Sequence, residues 1–131
     1  MAEVVRLKKA RPKNLDLKTI RLPLPGFVSI LHRVSGAGLF LMLPVILCFF
    51  QSSLTSSEGF DSLREFVSHP LIKISLLGLI WAYMHHFCAG LRFLALDLHI
   101  GIELEAARQS SKVVLFVSLI ATVIIGVTLL W

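Results

Sequence analysis

Charge is scarce in this chain of 131 residues: 16% are Asp, Glu, Lys or Arg, against about a quarter in an ordinary soluble domain. Acid is scarcer still, with eight Asp and Glu in all and none within residues 27–54, 71–96 or 113–131. A proton or ion relay in those stretches would have no carboxylate to work with, which makes a small transporter or channel the weakest reading. The two cysteines, Cys48 and Cys88, form no CxxC pattern, so each reads as a small packed hydrophobe. The first 26 residues hold no apolar run of about 7–15 residues, which excludes a secretory signal. Neither an internal repeat nor a low-complexity segment is present.

What the chain does have is apolar length. Of its residues 56% are hydrophobic, and they gather into three runs, about 27–54, 71–96 and 113–131, each able to cross roughly 30 Å of hydrocarbon. These predict an all-α membrane protein with three transmembrane helices, a basic arm over 1–26 and a transmembrane domain over 27–131. Little remains outside the bilayer to fold as a catalytic domain, so any activity lies within the membrane or is shared with partners. Seven Lys or Arg precede the first run, whereas the loop from Thr55 to His69 carries only Arg64 against Glu58, Asp61 and Glu65. The bias predicts a cytoplasmic amino terminus. It also places the net charge of +5 where anionic lipid headgroups or an acidic protein face would meet it, not on a nucleic-acid-binding surface. Pro12, Pro23, Pro25 and Gly26 predict an irregular arm. Phe60, Leu63, Phe66 and Val67 predict a short interfacial helix, and Pro70 suits the first turn of the second span.

Two stretches depart from the apolar background. Ser29-Ile30-Leu31-His32-Arg33-Val34-Ser35-Gly36 puts a hydroxyl, an imidazole and a guanidinium into the first turns of the first run. Ser29, His32, Arg33 and Gly36 fall at i, i+3, i+4 and i+7 and share a helical face. Arg33 lies about 9 Å below Phe27 at about 1.5 Å per residue, so it can snorkel to the interface. Alternatively it joins Ser29 and His32 in a cluster of donors. Such a cluster suits propionate carboxylates, or the carbonyl oxygens of a quinone, which need hydrogen bonds as reduction loads charge on them.

The second stretch is Trp81-Ala82-Tyr83-Met84-His85-His86-Phe87-Cys88-Ala89-Gly90-Leu91-Arg92. Leu79, Tyr83, His86, Gly90, Phe93 and Asp97 form one helical stripe, with His85, Ala89 and Arg92 on the adjacent one. His86 sits about 16 Å below a boundary at Asp97, near the middle of the bilayer. Two readings stay open: an imidazole bonded to a neighbouring helix carbonyl, or an axial ligand to heme iron with Gly90 making room for the flat porphyrin. Arg92 and Asp97 read as boundary anchors. The third run, with Ser118, Thr122, Thr128 and Gly126 among aliphatics, reads as a packing helix without chemistry.

Arg11-Pro12-Lys13-Asn14-Leu15-Asp16-Leu17, the Ser29 to Gly36 stretch, and His86-x-x-x-Gly90-x-Arg92 running on to Asp97 together resemble the cytochrome b membrane-anchor subunit of succinate dehydrogenase, respiratory complex II, in its bacterial form. The resemblance extends over nearly the whole chain. It implies the larger of two small anchor subunits in a shared helix bundle, docking a flavoprotein subunit and an iron–sulfur subunit, with heme b between the anchors and ubiquinone as substrate. It implies His86 as the axial ligand of the heme iron, His32 and Arg33 at the propionates, and Ser29 and Arg33 at the quinone. Phe93 stands where family members often carry a histidine. The lack of a long presequence favours a bacterial inner membrane over a mitochondrial one. The alternative is a structural anchor without heme.

Overall fold

The fold was analysed in a computed structural model, which describes residues 19–131. Most of the basic arm, including the Arg11 to Leu17 motif, lies outside the described residues. The first helix, α1 (Leu24–Thr55), opens on prolines that the sequence reading took as breakers: Pro23 is the extended N-cap residue and Pro25 sits in the first turn. There the missing N–H of proline leaves no intrahelical bond unmade, so the residues that end an arm also begin a helix. Pro44 lies within α1, which continues through it.

A short helix, α2 (Ser57–Ser68), follows α1 after a single residue. The Ser56 hydroxyl accepts from the Gly59 N–H at 3.0 Å and caps it. Glycine is needed at 59 because a Cβ there would lie 2.7 Å from the carbonyl oxygen of Ser52. That close approach lets α2 fold back against the end of α1, where Phe66 meets Phe49 edge-on at 5.6 Å. The second long helix, α3 (Pro70–Asp97), starts with the proline in its first turn and His69 Nδ1 accepting from the Leu71 N–H.

The last helix, α4 (Leu104–Leu130), begins nine residues before its apolar run. Residues 104–112 are polar but good helix formers, so the helix extends beyond the hydrocarbon without a break. The connection from α3 shrinks to 98–103, turned by His99 and Gly101 at φ of 61° and 76°. No strand occurs among the described residues, and α1, α3 and α4 are each long and apolar enough to cross a membrane.

The core is narrow and built of small or polar side chains. α3 packs against each of the other three helices, and its buried stripe is His85, Ala89 and Arg92. α4 meets it with Ser111, Val114, Ser118, Thr122 and Gly126. The hydroxyls of that stripe bond to their own helix: Ser111 to the Ala107 carbonyl at 2.7 Å, Ser118 to Leu115 at 3.1 Å and Thr122 to Ser118 at 2.7 Å. Small residues at the contact bring backbones close, which is how helices gain packing where water supplies no drive. The large aliphatic and aromatic side chains point outward, among them Phe40, Leu54 and Phe116.

Candidate functional site

The two chemically loaded stretches meet where α1 crosses α3. His32 and His86 lie face to face, with ring centroids 4.2 Å apart and planes 7° from parallel. Each ring occupies room left by a glycine on the opposite helix. A Cβ at Gly36 would lie 2.7 Å from Cε1 of His86 and 3.0 Å from its Nδ1, and one at Gly90 would come within 3.7 Å of Nε2 of His32. Phe93, one turn beyond Gly90, closes the other side of His32 at 5.1 Å.

His86 Nδ1 lies 3.0 Å from the backbone carbonyl oxygen of His32. A carbonyl only accepts, so Nδ1 carries a proton, and in the neutral ring the lone pair is on Nε2. Nε2 makes no hydrogen bond and is not enclosed, unlike the two ring nitrogens of His85. A neutral imidazole fixed through Nδ1–H to a carbonyl, with Nε2 accessible, is the donor state that a metal-ligating histidine requires. The carbonyl bond that one reading of the sequence expected for His86 is present, and it uses one nitrogen and leaves the other without a protein partner.

The remaining site residues are placed differently from one another. Ser29 is half-buried and makes no side-chain hydrogen bond, while Arg33 is exposed and has no ion-pair partner among the described residues. The shared face read from spacing therefore divides: His32 and Gly36 turn toward α3, and Arg33 turns away from the bundle. Arg92, read from the sequence as a boundary anchor, points into the bundle and not outward. It is 8% exposed and turned toward α4, where Nε donates to Ser110 Oγ at 2.9 Å and Nη2 to the Ala107 carbonyl at 3.3 Å.

His85, the other member of the doublet and given no role by the sequence, is the more buried of the two. It is fully buried, stacked on Trp81 at 5.5 Å and set against the Val28 backbone, without a well-formed hydrogen bond at either ring nitrogen. The signal was present in the stripe of His85, Ala89 and Arg92, but lipid-facing and core-facing positions are equally apolar here, so hydropathy does not mark which stripe faces inward.

Residues 8–125 match the family described as succinate dehydrogenase/fumarate reductase transmembrane subunit. The succinate dehydrogenase cytochrome b556 subunit of Coxiella burnetii is 36% identical over 118 residues, covering 89% of this chain and 94% of that one. The cytochrome b556 subunit of Paracoccus denitrificans is 33% identical over 114 residues, covering 87% and 88%. The mitochondrial cytochrome b560 subunit of Sus scrofa is 32% identical over 118 residues, covering 86% and 68%. With bacterial relatives of this kind and three membrane-crossing helices, the protein is a multi-pass inner-membrane protein. It belongs to the succinate dehydrogenase/fumarate reductase transmembrane subunit family and is a non-catalytic membrane subunit of that complex.

Proposed function

We propose that this chain carries heme b jointly with a second small anchor subunit and completes a ubiquinone-reduction site beneath the flavoprotein and iron–sulfur subunits. The observation that supports it is the state of His86: Nδ1 held by the His32 carbonyl, Nε2 accessible at the edge of the bundle. In this reading His86 Nε2 would hold the heme iron from this chain, and the second anchor would supply the other protein ligand. When bound, the heme supplies a one-electron center close to the quinone. His32 holds the His86 ring by stacking and by its backbone carbonyl; as propionate contacts, His32 would act from the α3 side of α1 and Arg33 from its exposed side.

Arg33 and Ser29 take the quinone. An unpaired guanidinium near the start of a membrane helix needs an anionic or hydrogen-bonding partner, and Arg33 has none within the described residues of its own chain. A quinone carbonyl draws stronger hydrogen bonds as reduction places charge on oxygen, so Arg33 and Ser29 stabilise the reduced form more than the oxidised one. The amino terminus lies in the cytoplasm, on the same side as the start of α1 and the end of α3.

The deciding experiment is the reduced-minus-oxidised absorption spectrum of the assembled complex with and without His86→Ala. The reading expects a sharp alpha band that disappears or is strongly altered in the variant. An unchanged band in a fully assembled His86→Ala complex, or no band in the wild type, overturns it.

A further inference from the structure

The His32 imidazole makes no hydrogen bond among the described residues, so nothing polar sets the rotation of the ring that covers one face of His86. Its backbone carbonyl is fixed by α1; its ring is not. Three contacts remain to hold that ring: the face of His86 at 4.2 Å, the gap at Gly90, and the ring of Phe93 at 5.1 Å, tilted by 53°. Gly90 offers room without grip, and the hydrogen bond of His86 runs back to His32 itself. Phe93 is the contact with support from elsewhere in the fold.

That support comes from two directions. Phe93 packs against the core cluster of Val28, Ala89 and Val114, one residue from each of α1, α3 and α4. The guanidinium carbon of Arg92 stands 5.5 Å from the centroid of its ring, inside the roughly 6 Å over which a cation is drawn to a π face. Arg92 is itself bonded to Ser110 Oγ and the Ala107 carbonyl of α4. A row of flat groups thus runs from α4 through Arg92, Phe93 and His32 to His86, at spacings of 5.5, 5.1 and 4.2 Å.

A phenyl ring suits this place because it offers a flat face and no hydrogen-bonding atom. It restrains the imidazole by contact and leaves both ring nitrogens of His32 for a group outside the chain, where a polar side chain would compete for them. We propose that Phe93 is a positioning residue: it fixes the rotation of the His32 ring and, through the stack, the plane of the His86 imidazole that carries Nε2. The inference rests on the reading of His86 as a heme ligand and adds a residue that acts on that ligand through His32.

The test uses the assembled complex and the electron paramagnetic resonance spectrum of its oxidised heme, whose largest g value follows the relative planes of the axial rings. Phe93→Leu keeps apolar bulk against the core cluster and removes the ring, whereas Phe93→Tyr keeps the ring. The largest-g signal should shift or split in Phe93→Leu and stay in place in Phe93→Tyr. In a His32→Ala background Phe93→Leu should add no further shift, because its effect passes through His32. Phe93→Ile is read in the same way should the leucine variant fail to assemble. An unchanged signal in Phe93→Leu, an equal shift in Phe93→Tyr, or an undiminished shift in the His32→Ala background overturns the proposal. Thermal midpoints of the same complexes separate these outcomes from failure of the heme reading. A wild type without a heme signal overturns that reading, and the support of His32 by Phe93 is then decided by the midpoints: a smaller loss from Phe93→Leu in the His32→Ala background than in the wild type upholds it, and equal losses overturn it.

Discussion

Gly36→Ala adds one methyl group where the structure has least room for it. The new Cβ would lie 2.7 Å from Cε1 and 3.0 Å from Nδ1 of His86, so something must shift. The ring cannot simply retreat, because Nδ1 is bonded to the His32 carbonyl at 3.0 Å and one ring face is covered by His32. If the ring rotates, the Nδ1–H bond is lost, worth about 0.5–1.5 kcal/mol net. If the helices part instead, the overpacking costs about 1–3 kcal/mol. Alanine recovers about 0.5–1 kcal/mol of helix preference over glycine, leaving a net loss of at most about 1 kcal/mol if the ring rotates and up to about 2 kcal/mol if the helices part.

The assay is a double-mutant cycle on the thermal midpoint of the assembled complex, crossing Gly36→Ala with His86→Ala. The substitution at 36 should destabilise the wild type and be neutral or favourable once the imidazole is gone, a coupling of about 1–2 kcal/mol. Gly38→Ala is the control, since a Cβ there meets nothing within 4 Å. Equal penalties for Gly36→Ala in both backgrounds would refute the fit of ring against glycine.

Three further outcomes follow from the packing. Gly126→Ala brings a Cβ 2.5 Å from Leu77 Cδ1, the end of a side chain that can change rotamer, so its penalty should stay under about 1 kcal/mol and vanish with Leu77→Ala. Ser118→Leu forces a large side chain into the fully buried contact of α4 with α3 and should cost about 1–3 kcal/mol of thermal stability; Leu119→Ala, on the exposed face, should change it by less than about 0.5 kcal/mol. His85→Leu exchanges a buried imidazole that has only a poorly formed contact with the Val28 backbone for apolar volume, so the midpoint should hold or rise; a drop beyond about 1 kcal/mol would show that the Val28 contact is a full hydrogen bond.

The spans were legible because twenty or so apolar residues without an acid have few other stable placements, and the charge contrast between arm and first loop framed them. Where the helices end was less so. Pro23 and Pro25 read as breakers because proline interrupts a helix anywhere except its first turn, and α4 begins at Leu104 because hydropathy tracks the bilayer and not the helix. Which residues would meet was legible for His32, Gly36, His86 and Gly90, whose spacing puts a ring and a gap one turn apart on each helix. Arg33 was placed on a face with Ser29 and His32, and Arg92 on a stripe with His85 and Ala89, but neither spacing nor depth gives which face turns inward. One faces out of the bundle and the other into it, a difference set by the packing of α4, whose partner-facing residues are hydroxyls that carry no strong hydropathy signal.

Adjacent histidines on a helix point about 100° apart, and α3 uses that angle to give the two rings different neighbours. His85 lies in line with Ala89 and Arg92, inside the chain's own three-helix contact, enclosed on all sides. His86 lies toward the edge where α1 offers a carbonyl for one nitrogen and a glycine gap for the ring, leaving the other nitrogen accessible. For His85 to reach a group outside the chain, α3 would have to turn by about a quarter of a revolution, which would withdraw Ala89 from the core and break the bonds from Arg92 to Ser110 and Ala107. The two imidazoles are therefore not interchangeable. Arg92, six residues and so about 9 Å along α3 from His86, helps fix the rotation of α3 that sets the direction of His86, so the contact between α3 and α4 belongs to the geometry of the candidate site even though α4 itself brings no chemistry to it.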